Sequence, residues 1–268
     1  MKRSVTALAA LLLALALASC GWLGDKTDER KNWTAAEYYK AAKEQFDAGN
    51  WEAAAKLYEQ LEGKFPYGRF AQQAQIEIAY AYYKQGETAQ ALSALDKFIK
   101  LHPNHPNLDY ALYLKALVNF KEDLGILARL VKQDLADRDP KAARESFEGF
   151  KDLVARFPDS RYSADARQRM AYLVEALARH EINVARYYLS RGAFLAAANR
   201  AQDALKNYSN ATIQREALDI MVEAYDRMDL APLRDDAKRV LAKNFPGDPM
   251  AGNSNRVAPW WKFWNGWF

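Results

Sequence analysis

The chain has 268 residues, with 38 lysines and arginines against 34 aspartates and glutamates, and a formal charge of +4. Charges so evenly matched, and interspersed along the chain, exclude the basic footprint of a nucleic-acid binder. Half of the residues are hydrophobic, enough for a substantial core, while 12 glycines, 9 prolines and one cysteine leave a chain of helix formers with no internal disulfide.

Lys2 and Arg3 open the chain as a short positive region, and residues 5–18 are almost wholly Val, Ala and Leu. Such a run is too short to cross ~30 Å of hydrocarbon as a helix. It fits the core of a secretory signal peptide, so residues 1–19 are expected to be removed. The cleavage region, Leu17-Ala18-Ser19-Cys20, resembles the bacterial lipoprotein box, whose cysteine becomes the first mature residue and carries acyl chains. The plainer alternative is a cysteine that merely ends an ordinary signal peptide. Acylation accounts for a lone thiol in a chain bound for an oxidising compartment. Several acyl chains anchor stably where a single one holds only marginally. In such lipoproteins an aspartate after the cysteine favours the inner membrane. Gly21 stands there instead, which leans towards the outer membrane. Residues 20–32 are then a lipidated tether, polar and without periodicity after the first few positions.

Beyond the tether a repeat appears. Ala42, Gly49, Ala54 and Pro66 recur as Ala79, Gly86, Ala91 and Pro103, each 37 residues later. Ala185, Gly192 and Ala197 keep the same internal spacing, with Ser209 where the proline would fall. The pattern resembles the tetratricopeptide repeat, a helix pair of ~34 residues with a small residue, a later Ala-x3-aromatic and a closing proline. Ala54-x3-Tyr58 keeps that element, whereas Ala91-x3-Leu95 and Ala197-x3-Ala201 keep only its apolar character. Small residues let the two helices of a pair approach closely. Glycine suits a left-handed residue at the end of the first helix. Proline cannot continue the second. Thr34 and Glu37 have the spacing of a capping box at the start of the first pair.

Further pairs are degenerate. Leu108, Ala111, Leu112, Leu114, Val118 and Phe120 make one apolar face, and Asp139-Pro140 restarts a helix whose stripe is Phe147, Phe150, Leu153, Val154 and Phe157. Between them lies an insertion, residues 123–138, read either as functional or as a tolerated surface loop. Residues 160–191 predict one long helix or two in close succession, with a partner over 193–208. A final pair covers 212–227 and 231–244. The expected fold is therefore all-α, a tetratricopeptide-like solenoid of about five helix pairs over residues 33–246, with a concave binding surface.

Candidate chemistry is sparse. His102 and His105 sit in a Leu-His-Pro-Asn-His-Pro turn with no third ligand nearby in sequence, so no metal site is expected. No nucleophile motif or phosphate loop occurs, so neither catalysis nor a cofactor is expected. Tyr38, Tyr39, Tyr80, Tyr82 and Tyr83 cluster on first helices of repeats, where some should pack inward and others face the groove. Residues 247–268 form an aromatic tail carrying Trp260, Trp261, Trp264 and Trp267. Three readings stand for it: docking on a partner, burial along the chain's own helices, or insertion at a membrane interface.

Several stretches are similar to one family in particular. They are residues 65–73 (FPYGRFAQQ), 79–83 (AYAYY), 101–110 (LHPNHPNLDY), 137–140 (DRDP), 184–188 (VARYY), 191–194 (RGAF) and Asn199-Arg200. With the lipoprotein box and the repeats, they identify the chain as resembling the BamD, or ComL, family of outer-membrane β-barrel assembly lipoproteins. The aromatic tail departs from shorter members. The resemblance implies a periplasmic scaffold, lipid-anchored at the outer membrane, that helps insert β-barrel proteins. Its implied partners are the periplasmic domains of the barrel-assembly subunit, accessory lipoproteins and unfolded β-barrel substrates. It also implies that the segment from Arg191 to Arg200 meets the barrel subunit, with Arg200 as an ion-pair donor, and that Tyr67, Tyr80 and Tyr83 serve the N-terminal groove. A different envelope lipoprotein, coordinating peptidoglycan or polysaccharide machinery, would share the architecture. A DNA-uptake role would need a basic stripe that the charge balance does not provide.

Overall fold

The computed structural model describes residues 30, 32–120, 140–209 and 211–246. Cys20, the insertion 123–138 and the tail with Trp260, Trp261, Trp264 and Trp267 lie outside the described residues. Among the described residues there are ten α-helices and no strand, so the all-α class holds. The chain divides into two compact units between Gln85 and Gly86.

The first unit contains α1 (Ala35–Asp47), α2 (Trp51–Lys64) and α3 (Arg69–Gln85), each packed on the other two. Its start is fixed locally. Thr34 N–H donates to Glu37 Oε2 at 2.7 Å, and Glu37 N–H donates to Thr34 Oγ1 at 3.3 Å. This reciprocal cap satisfies two amides that the helix itself cannot, typically contributing ~1 kcal/mol. Ala42, Ala54 and Ala79 are fully buried, one on each helix, as close packing requires.

Gly49 ends α1 at φ 77°, and a methyl group built there would meet only the Trp51 ring, at 3.9 Å. The left-handed backbone and not crowding therefore demands glycine. Gly49→Ala is expected to destabilise the chain by ~1–2 kcal/mol, the cost of a left-handed L-residue. Chemical denaturation monitored by circular dichroism checks this, and an unchanged midpoint would contradict it.

The second unit contains α4 (Thr88–Leu101), α5 (Leu108–Phe120), α6 (Pro140–Arg156), α7 (Ser163–Ser190), α8 (Phe194–Asn207), α9 (Gln214–Arg227) and α10 (Ala231–Asn244). Each helix packs on the next along the chain, and α9 also meets α7. Residues 163–190 make one 28-residue helix and not two. At 1.5 Å per residue it is ~42 Å long, and it serves two hydrophobic clusters. Leu173 and Leu177 join Leu108, Leu112, Phe150 and Leu153, while Ala178, Ile182 and Ala185 join Ala197, Ala201, Ile213 and Ile220. Helices α5 and α6 meet closely. Ser146 Oγ donates to the Ala116 carbonyl at 2.9 Å, and a methyl group at Gly149 would sit 3.0 Å from the Ala116 side chain. In the second sequence repeat, α3 closes the first unit and α4 opens the second.

Candidate protein-binding site

Within the first unit the tyrosines separate. Tyr38 is buried, whereas Tyr80 and Tyr83 are half-buried. The Tyr80 ring lies 5.3 Å from Phe46 and 5.8 Å from Trp51, with Tyr83 beside it at 6.2 Å. Two ammonium groups border these rings: Lys43 Nζ stands 4.4 Å from the Phe46 centroid and Lys84 Nζ 5.8 Å from that of Trp51. Such contacts favour cations over ring faces, each by ~0.5–1 kcal/mol at an exposed site. The result is a half-buried aromatic cluster edged by two lysines, of which Lys43 also pairs with Asp47 at 3.0 Å. Tyr67 is placed elsewhere, in the α2–α3 turn, where it is 92% exposed. Phe46 and Trp51 were not singled out by sequence, although their place flanking the repeat glycine was a usable signal.

Beneath the cluster lies a buried carboxylate. Tyr39 Oη donates to Glu77 Oε1 at 2.9 Å, Gln73 Nε2 donates to the same oxygen at 3.1 Å, and Tyr58 Oη donates to Oε2. Burial, and then the Glu77 charge, push both tyrosine hydroxyls well above their ordinary range, so both stay protonated donors. This network ties all three helices together.

In the second unit, Arg191 follows the last residue of α7, and its guanidinium stands 5.4 Å over the Tyr187 ring. Tyr187 is 57% exposed and Leu195, on the first turn of α8, is 61% exposed. Beside Leu195 opens a shallow concavity of about 520 Å³, lined by Gly192, Phe194, Leu195, Asn199 and Met228. Gly192 takes φ 76°, which turns the chain between the two helices. An exposed tyrosine under a cation, and an exposed leucine lining a concavity, suit a protein interface better than open solvent.

Arg200 lies on α8 and is half-exposed, but its charge is already engaged. Its Nη1 is 2.9 Å from Oε2 of Glu181 on α7, and Arg144 Nη2 of α6 is 3.2 Å from Oε1 of the same carboxylate. The Glu181 side chain is only 8% exposed. A carboxylate so enclosed needs counter-charge and hydrogen bonds to tolerate desolvation, and two guanidiniums supply both. Arg144 and Glu181 were not anticipated from sequence.

The two histidines form a structural turn after α4. Both rings pack against Phe98, each with its centroid 5.1 Å away, His102 tilted and His105 edge-on, and His105 Nδ1 accepts the Asn107 N–H at 3.0 Å. Among the described residues no group of three or more His, Cys, Asp or Glu is placed to hold a metal ion. Burial lowers the His105 pKa, and the adjacent His102 lowers it further. A histidine depressed on folding contributes stability that is complete above its unfolded value, near 6.5, and lost as pH falls through the folded value. The unfolding temperature is therefore expected to drop as pH falls below about 6.5. His105→Gln, with no proton to gain, should flatten that slope; an identical slope in the variant would contradict the assignment.

Among the described residues no helix is long and apolar enough to cross a membrane. A family model described as an outer membrane lipoprotein matches residues 31–240. A protein of Neisseria meningitidis serogroup B named outer membrane protein assembly factor BamD is 47% identical over 258 residues, 94% of this chain and 97% of that one. Its namesake from Neisseria gonorrhoeae is 46% identical over the same shares of both chains. A more distant namesake, from Xylella fastidiosa strain 9a5c, is 39% identical over 75% of this chain and 69% of its own.

Proposed function

The chain belongs to the family of outer membrane lipoproteins that includes the BamD assembly factors, and from that premise we propose that it is the scaffold subunit of the complex that inserts β-barrel proteins into the outer membrane. It works by adhesion between proteins and makes or breaks no bond. The observation that carries this reading is the exposed surface around the α7–α8 turn, where Tyr187 lies under Arg191 and Leu195 lines a shallow concavity. Its occupant is the periplasmic part of the barrel-assembly subunit. Arg191, which follows α7, and Arg200, on α8, are its charged contacts.

The first unit has a separate task. Its ring cluster of Phe46, Trp51, Tyr80 and Tyr83, bordered by Lys43 and Lys84, suits an extended segment that ends in an aromatic residue and a carboxylate. Unfolded β-barrel substrates carry such segments, and accessory lipoproteins compete for the same groove. Tyr67, nearly fully exposed, adds a ring in the α2–α3 turn. The aromatic tail, through Trp260, Trp261, Trp264 and Trp267, docks on a partner or on the chain's own helices.

A photo-crosslinking residue at Leu195 should capture the barrel-assembly subunit in membranes, whereas one at the exposed Lys56 on α2 should not. Equal capture at both positions, or none at Leu195, would overturn the placement. The acyl anchor at Cys20, on the periplasmic face of the outer membrane, is tested separately. Cys20→Ser is expected to abolish labelling by radioactive fatty acid and to shift the chain from the membrane to the soluble fraction. Retained label would refute anchoring at that residue.

A further inference from the structure

Two guanidiniums meet one buried carboxylate between α6, α7 and α8, with Asp203, three positions after Arg200 on α8, a further and weaker anionic neighbour of Arg200. Glu181 brings one negative charge, and Arg144 and Arg200 bring two positive ones, each arginine holding a different oxygen of the carboxylate. A lone arginine beside a buried carboxylate would be fully committed to it, since releasing it would leave an unpaired charge in a poorly solvated place. Here that penalty is lifted, because either arginine can leave while the other keeps Glu181 neutralised. The two differ in setting. Arg144 lies early in α6, while Arg200 lies on α8, the helix whose first turn carries exposed Leu195 and whose Asn199 lines the concavity.

We propose that Arg144 and Glu181 are positioning residues for Arg200: Glu181 aims its guanidinium, and Arg144, by neutralising Glu181, leaves Arg200 free to share its charge with a carboxylate of the partner protein. The inference rests on the reading of the α7–α8 surface as the barrel-subunit contact. It makes the strength of that contact depend on a residue that reaches it only through Glu181. The partner chemistry it requires is an acidic side chain, because only an anion competes with Glu181 for a guanidinium.

The test is a set of calorimetric titrations of the full chain in detergent with the periplasmic domains of the barrel-assembly subunit. Arg144→Gln leaves Glu181 to Arg200 alone and is expected to weaken binding roughly tenfold, the low end of what close interfacial charge pairs contribute. Arg144→Lys, which still neutralises Glu181, should bind like the parent chain. The decisive variant is the double change Arg144→Gln with Glu181→Gln. The amide at 181 can still accept a hydrogen bond from Arg200 but no longer holds its charge, so affinity should return to near the parent value. A merely structural role for Arg144, or a direct touch of the partner, predicts no such rescue. Parent-like binding by Arg144→Gln, or a double variant that binds no better than Arg144→Gln, would overturn the proposal while leaving the surface reading intact. If Arg200→Gln itself binds like the parent, the proposal falls together with the place of Arg200 in the contact, while capture at Leu195 still tests the surface.

Discussion

Arg200→Glu should nearly abolish association with the barrel-assembly subunit. The change removes the cation assigned to the partner and places a carboxylate on the partner's own acidic side. Truncating one member of a desolvated interfacial charge pair typically costs ~2–5 kcal/mol, and like-charge contact adds to that. An affinity loss of at least ~30-fold follows from the lower figure. The chain itself should suffer less but measurably. Glu181 retains Arg144 at 3.2 Å, so it is not orphaned, but a second carboxylate now faces it across the α7–α8 contact. The unfolding temperature should fall by a few degrees and the variant should remain helical. Full loss of helicity would assign Arg200 to folding alone, and unchanged affinity would remove it from the interface.

Phe150→Ala should produce the largest loss of stability. Phe150 is fully buried at the α5–α6–α7 junction, with Tyr113 at 5.9 Å and Phe120 edge-on at 6.0 Å. Removing a buried phenyl ring forfeits its transfer free energy and leaves a cavity, together ~3–5 kcal/mol. That is a large part of the 5–15 kcal/mol that holds an ordinary domain together. At ~2–4 °C per kcal/mol, the melting temperature should fall by roughly 6–20 °C. Partner binding should persist below the new transition, because Phe194 and Met228, which line the concavity beside Leu195, pack against the other hydrophobic cluster. A loss below ~1 kcal/mol would mean that Phe150 packs loosely.

Much of the fold was legible because its causes are local. The repeat glycines Gly49, Gly86 and Gly192 all take φ between 76° and 80°, and the alanines that accompany them are fully buried. The capping box at Thr34 forms as its spacing requires. Whether residues 160–191 form one helix or two was not decided by pattern, since nothing within them breaks a helix and nothing local says how far it runs. What stayed hidden is long-range. Glu181 meets partners 19 and 37 positions away on other helices, and Glu77 gathers hydroxyls from 19 and 38 positions away. A buried glutamate on a helix reads in sequence like an exposed one, because period and spacing are the same. The tyrosines show the same limit. Adjacent positions point to different faces, yet only the packing reveals that Tyr80 and Tyr83 share a ring cluster with Phe46 and Trp51 while Tyr82 bonds to Glu59. The division between Gln85 and Gly86 falls inside a sequence repeat and had no compositional mark.

The most direct measurement is affinity purification of the full chain from detergent-solubilised membranes, followed by identification of what accompanies it. A scaffold of β-barrel insertion should bring down the barrel-assembly subunit and accessory lipoproteins, and should lose the barrel subunit when Arg200 is glutamate. Recovery of peptidoglycan or polysaccharide machinery in place of the barrel subunit would contradict the central claim.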